Sequence, residues 1–275
     1  MGYRTRRGIS RGLRYAVALV ALVFFLFPVM WIVVTTFKAG NELYHSPPVW
    51  IPSQPSLVSF KQAYDAGGLK ALANSLVIST ATTALALLVG SLAGYGLARC
   101  KVGGDRLPFF ILSQRFMPPV VIVFPFLLIF KMLGWMDTHQ ALVVIYLTFN
   151  LPYAVWMMRG FFMEIPPEIE EAALVDGCSP FRAFWRVAMP LVKPGLVATG
   201  VFCFIFSWSE FFFGVCITRT NAVTLAVYLP SYFGKMHQQW GQVGATSIMA
   251  MLPLFLMSIV VQRYLVRGLT LGAIK

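Results

Sequence analysis

The chain reads as an all-α integral membrane protein: six transmembrane helices, with a cytoplasmic helix–glycine–helix loop between the fourth and fifth. Three observations predict this. Of the 275 residues, 58% are hydrophobic and only 12% charged, where a soluble domain carries about 25% charged residues; the mean hydropathy is +0.74. Six apolar runs, at approximately 14–37, 69–98, 107–130, 141–158, 195–217 and 243–265, match the roughly 20 residues that cross a hydrocarbon core of about 30 Å. One interval, 164–193, combines helical order with dense charge and has a spanning run on either side. Residues 1–275 are read as a single transmembrane domain.

The first run follows Arg4, Arg6, Arg7 and Arg11 and has no small-residue cleavage site before Lys38. Its length exceeds a signal core, so it is expected to stay as the first span. The second carries Ala86, Gly90, Gly94 and Ala98 every four residues, a ladder that lets helix backbones approach closely in lipid. Packing inside the bundle and packing against a second subunit both fit that ladder. Prolines interrupt several spans at Pro28, Pro118-Pro119, Pro125, Pro152 and Pro253. Each removes a helix hydrogen bond, and broken helices are frequent where a pathway changes shape.

Polar groups inside the spans are costly in hydrocarbon and tend to face a cavity. Arg115, Asn150, Trp208, Ser209 and Glu210 are therefore candidate pathway-lining residues. The alternative is that Arg115 and Glu210 are satisfied within the bundle, although their expected depths differ by roughly 9 Å at the helical rise.

Lys and Arg set the orientation. Fifteen fall on one side of the spans and six on the other, with Arg115 inside a span, which accounts for all 22. The positive-inside rule then puts both termini and the 164–193 loop in the cytoplasm. A net charge of +12 does not indicate nucleic acid here, because the basic residues sit at the ends of apolar runs. The longest outer loop, 38–69, carries Pro47, Pro48, Pro52 and Pro55. It is too short for a folded receptor, so a transported solute would have to be captured by another polypeptide. Cys100 and Cys178 fall in cytoplasmic segments, and Cys203 and Cys216 lie thirteen residues apart on one predicted helix, roughly 20 Å; no disulfide is expected. His45, His139 and His237 are scattered without metal-ligand spacing.

The 164–193 loop divides into two short helices. Pro166 and Pro167 suit a first turn, where a missing N–H costs nothing. Glu168, Glu170 and Glu171 then put negative charge on the positive end of that helix. Gly177 is placed to close it in the left-handed conformation. Ser179 before Pro180 reads as the cap and first residue of the second helix. There Phe181, Phe184, Trp185 and Ala188 fall at i, i+3, i+4 and i+7, with Pro190 and Pro194 expected to end it.

Glu171-Ala172-Ala173, then Gly177, then Val187-Ala188-Met189-Pro190 resembles the EAA loop of importer-type ABC permeases. In that family's pattern EAA is followed after three residues by Gly, and after nine more by Ile-x-Leu-Pro. FSWSEFFFG around Glu210, and the tail 266–275, are similar to the fifth helix and C-terminus of MalG-like permeases of carbohydrate uptake. The resemblance implies a permease working by alternating access beside a MalF-like second permease, a dimer of ABC ATPase subunits and an extracytoplasmic solute-binding protein. It implies a sugar or polyol substrate, contacted mainly by the partner permease. ATP and Mg would be bound by the ATPase subunits, with no cofactor on this chain. Phe181, Phe184 and Trp185 would anchor the loop in the ATPase, and Glu171 and Gly177 would fix its shape.

No Walker A pattern occurs; the pair Gly234-Lys235 lacks the upstream glycine and the following Ser or Thr. The chain is therefore not expected to be an enzyme. An ion-coupled secondary transporter, with Arg115 and Glu210 as relay, is the alternative.

Overall fold

A computed structural model describes residues 3–38, 40–100, 102–233 and 239–272, with backbone alone for 3–12, 260–261 and 263–272. Lys101, Gly234-Lys235, His237 and the last three residues of the predicted tail lie outside the described residues. Those described form helices α1 (Tyr3–Thr36), α2 (Val58–Asp65), α3 (Gly68–Arg99), α4 (Arg106–Ser113), α5 (Pro119–Met132), α6 (His139–Met163), α7 (Pro167–Val175), α8 (Pro180–Ala183), α9 (Met189–Leu191), α10 (Lys193–Trp208), α11 (Phe212–Ile217), α12 (Leu225–Tyr228) and α13 (Trp240–Gly272). Among the described residues, four stretches are long and apolar enough to cross a membrane: Leu13–Thr36, Gly68–Arg99, His139–Met163 and Trp240–Ile259. Two bent helix pairs bring the total to as many as six.

One compact unit comprises residues 1–68 and 231–251. In it α1 exposes its apolar side chains along most of its length, as a helix solvated by lipid would. Its end is pinned by aromatic contacts: Trp50 meets Trp31 edge-on at 5.3 Å, and Lys38 Nζ lies 4.3 Å from the Trp31 ring.

The second unit comprises 69–230 and 252–275. Its spine is the seam between α3 and α6. A Cβ on Gly90 would stand 2.7 Å from Ala154 Cβ, and one on Gly94 2.8 Å from the Arg159 backbone nitrogen. The small-residue ladder of the second span is therefore used inside the bundle, and Ala86 joins it in a buried cluster with Ala154 and Cys203. α10 packs on the same assembly; Asn150 donates to Ser207 Oγ at 3.0 Å across the α6–α10 contact.

Two predicted spans are broken. The third bends by 85° between α4 with its following 3-10 turn and α5. Met117 is extended there (φ −63°, ψ 132°) because a residue before proline avoids the helical region. The fifth, expected to be continuous over 195–217, stops at Trp208 and restarts at Phe212. Glu210 supplies the reason: its carboxylate accepts the Phe213 N–H at 3.0 Å and starts a new helix.

At the end of this unit remote from the 164–193 segment, Asp137 clasps the 219–222 turn. It is a non-glycine residue at φ +59°. Its carboxylate accepts the backbone N–H groups of Arg219, Thr220, Asn221 and Ala222 at 2.9 to 3.1 Å. Asn74 binds the next residues, donating to the carbonyls of Asn221 and Val223, and its Oδ1 meets His139 Nε2 at 2.8 Å.

Burial alone would raise the Asp137 pKa, but the four N–H donors outweigh it and hold the carboxyl well below the usual range. A depressed folded value stabilises the protein above the unfolded pKa of about 4, and that contribution is lost as pH falls through the folded value. Asp137→Asn, whose amide turns an N–H₂ toward donors, is expected to lower detergent-solubilised stability by about 1–2 kcal/mol at pH 7. In thermal melts the gap to the parent protein should close as pH drops below about 4; a gap that stays constant would refute the role of the charge.

Candidate functional site: the 164–193 segment

Residues 164–193 form a short two-helix lever against the lower ends of α3 and α6. α7 begins with Pro167 at its first turn, as the proline pair predicts. It closes by a Schellman arrangement, with Cys178 N–H donating to the Ala173 carbonyl and Gly177 N–H to that of Leu174, both at 3.0 Å. Gly177 has φ +86° and open space around its Cα, so the glycine is required by backbone conformation and not by crowding. Ser179 then caps α8, its hydroxyl accepting the Arg182 N–H at 3.3 Å.

The second helix departs from the regular period. Phe184–Ala188 forms a π turn, with Met189 N–H bonding back five residues to the Phe184 carbonyl. Burial across this wide turn recurs every four residues, at Phe184, Ala188 and Val192. The aromatic stripe read at a 3.6-residue period is therefore split. Phe184 is 2% exposed and faces the chain's own bundle, 4.8 Å from the Tyr95 ring and 6.0 Å from Phe162. This corrects the expectation that Phe184 is an outward anchor: its surface is already covered by α3 and α6. Phe181 and Trp185 remain outside at 67% and 40% exposure, touching each other edge-on at 6.2 Å. Val175, at the end of α7, is 88% exposed.

Pro190 was expected to end this helix but lies within α9. The widened turn before it relieves the clash its ring makes with the preceding turn. The break falls at Val192, and the axis bends by 78° into α10.

Glu171, Ala172 and Ala173 lie on α7, with Glu171 and Ala172 exposed. The glutamate that fixes the lever is its neighbour. Glu170 is buried, with Oε1 accepting from Arg99 Nε at 2.9 Å and from Arg99 Nη2. Its Oε2 accepts the Tyr95 hydroxyl at 2.6 Å. Arg99 Nη2 also donates to the Ile165 carbonyl at 3.2 Å. The sequence offered three glutamates at the head of α7, and only the position of Arg99 at the end of α3 singles out one.

The candidate pathway residues do not form one constellation. Arg115 lies at the break of the third span, its guanidinium 4.2 Å from the Phe206 ring and 4.9 Å from Tyr153. Its Nη1 is buried without a hydrogen-bond partner. Glu210 instead caps α11, so the two charges are not paired with each other. Asn150 is fully buried between α6 and α10, and Trp208 is 5% exposed and stacks on Phe204 at 5.4 Å. This corrects the reading of those two as lining residues, since helix packing closes over both. Ser209 is exposed and donates to the Ile205 carbonyl of its own helix.

Residues 86–271 match the family model described as the binding-protein-dependent transport system inner membrane component. The chain is 32% identical over 269 residues to the sulfoquinovosyl glycerol transport system permease protein SmoH of Agrobacterium fabrum, covering 97% of this chain and 94% of that protein. It is 31% identical to the trehalose/maltose transport system permease protein MalG of Thermococcus litoralis, covering 94% of each. Among solved structures it is similar in fold to a chain of a bacterial ABC transporter involved in the import of the acidic polysaccharide alginate. That match has a TM-score of 0.79 at 23% identity and covers 96% of this chain and 99% of the other.

Gly177→Val is expected to destabilise the lever locally by about 1–2 kcal/mol or more without affecting membrane insertion. Limited proteolysis with peptide mapping should show faster cleavage within 164–193; an unchanged cleavage pattern would contradict the left-handed closure.

Proposed function

Because the chain belongs to the family of binding-protein-dependent transport system inner membrane components, we propose that it is the permease subunit of an ATP-driven importer carrying a sugar or related polyol across the bacterial cytoplasmic membrane. The observation that carries this reading is the two-sided 164–193 segment. It is shaped by its own hydrogen bonds and held to the bundle by Glu170 and Phe184. Val175, Phe181 and Trp185 are left exposed at its outer edge. Exposed aromatic residues on a fixed scaffold are the usual anchors of an interface, and an ATPase subunit fits that role. Glu171 and Ala172, also exposed, extend the same contact, while Gly177 holds its bend.

In this reading ATP and Mg bind on a separate ATPase dimer and this chain does no phosphoryl chemistry. Closure of that dimer carries the lever with it, and the lever moves the spans to which it is tied. A second, MalF-like permease completes the pathway, and an extracytoplasmic binding protein delivers the solute. The end bearing Arg99, Arg159 and the lever faces the cytoplasm, with both termini on that side, consistent with the placement of Lys and Arg. Carbohydrate as the substrate class follows the named cargo of the relatives, a sulfoquinovosyl glycerol system and a trehalose/maltose system. Ion-coupled transport through Arg115 and Glu210 has less support, because the first stacks on rings and the second caps a helix.

The reading is tested by co-expressing the chain with its genomic partner permease, ATPase and binding protein, reconstituting the assembly in liposomes, and screening a panel of sugars and polyols for uptake. Uptake that requires ATP and binding protein is expected; uptake driven by an ion gradient without ATP would replace this reading by the secondary-transporter one. Trp185→Ala is expected to weaken ATPase association by about 2 kcal/mol, roughly 30-fold in dissociation constant. Recovery of the ATPase on affinity-tagged permease checks it, and undiminished recovery would remove Trp185 from the interface.

A further inference from the structure

We propose that Glu170 is the positioning residue that joins the 164–193 lever to helices α3 and α6 as one rigid body. The inference rests on the reading of this segment as the ATPase-coupling element.

The covalent chain alone gives the lever poor mechanical hold. It enters through Ile165, Pro166 and Pro167, where Pro166 is extended backbone (φ −56°, ψ 128°), and leaves through the break at Val192. Both are places where a chain can swing. A force applied to Phe181 and Trp185 would be absorbed there unless something spans the entry. Arg99 does so. Its guanidinium holds the Ile165 carbonyl on one side of the two prolines and the Glu170 carboxylate on the other. The entry cannot open without breaking an ion pair whose side chains are 17% and 7% exposed.

The far end of this connection is equally fixed. Tyr95 and Arg99 lie in the last two turns of α3, and Gly94, the residue before Tyr95, lies against Met158 and the Arg159 backbone of α6 with no space for a methyl group. α6 in turn runs on into Ile165. Lever, α3 and α6 thus form a closed triangle whose third side is Glu170. Tyr95 belongs to two sides at once, donating to Glu170 Oε2 while its ring packs on Phe184 and Phe162. A paired charge in that position contributes direction more than stability: an apolar contact could glue the same surfaces, but the Arg99 N–H groups on Glu170 Oε1 together with the Tyr95 hydroxyl on Oε2 fix their angle.

The test reads the rigidity directly. Cys100, exposed at the end of α3, and Cys178, at the lever's bend, serve as spin-label sites once Cys203→Ser and Cys216→Ser have removed the other two cysteines. Pulsed-EPR distances are measured in the full transporter complex, nucleotide-free and after ADP–vanadate trapping. With Glu170 in place the Cys100–Cys178 distribution is expected to be narrow and the same in both states. In Glu170→Gln it should broaden and shift on trapping, and Glu170→Arg combined with Arg99→Glu should restore the narrow form. A distribution in Glu170→Gln that stays narrow and unmoved overturns the proposal. If Glu170→Gln fails to assemble with the ATPase, Tyr95→Phe decides: it removes one hydroxyl, and broadening supports the joint where an unchanged distribution overturns it. Should the parent assembly fail to bind any ATPase, the coupling reading itself falls, a result separate from any behaviour of the variants.

Discussion

The contact on which the rest of the second unit depends is the seam between α3 and α6, where Gly90 and Gly94 leave no clearance for a side chain. In lipid there is little hydrophobic gain in bringing two helices together, so close backbone approach and dispersion have to supply it. Once α3 and α6 are locked in register, both ends of the pair are determined. One end aligns Asn74 with His139 and thereby receives the 219–225 turn. The other aligns Arg99 and Tyr95 with the point where α6 gives way to the lever.

The two ends use different chemistry for the same task. At the Asp137 clasp, a carboxylate satisfies four backbone donors of a turn that has no regular partner of its own; an orphaned N–H is expensive wherever water is scarce. At the lever, a carboxylate meets a guanidinium and a phenol. The first arrangement finishes a loop. The second connects two bodies that the backbone alone would leave hinged.

Much of this was legible in the sequence, because it follows from single residues with strong conformational preferences. Pro167 starts α7, Gly177 closes it, Ser179 caps α8 and Pro118-Pro119 breaks the third span, all for local reasons. What escaped the reading depends on contacts distant in sequence or on a change of period. The choice of Glu170 over Glu168 and Glu171 requires Arg99, 71 positions away. The Asp137 clasp requires a turn more than 80 positions on. The break after Trp208 was not legible although Ser209 and Glu210 stood out as polar, because its cause is a carboxylate bonding to the backbone just beyond it. Phe184 was assigned to the wrong face because a 3.6-residue period was applied to a turn that has more residues than that.

That wide turn carries one further consequence. A π turn is an α-helix with one residue too many, and the widening takes that residue up so that the turns on either side keep nearly the phase of an unbroken helix. Adding one more residue between 184 and 188, with no second wide turn to take it up, would rotate everything beyond it by roughly 100°. Val192 would then leave the bundle, and the exit into α10 would point elsewhere. Point changes are absorbed or not according to size, but chain length in this stretch is a fixed quantity, like the tooth count of a gear.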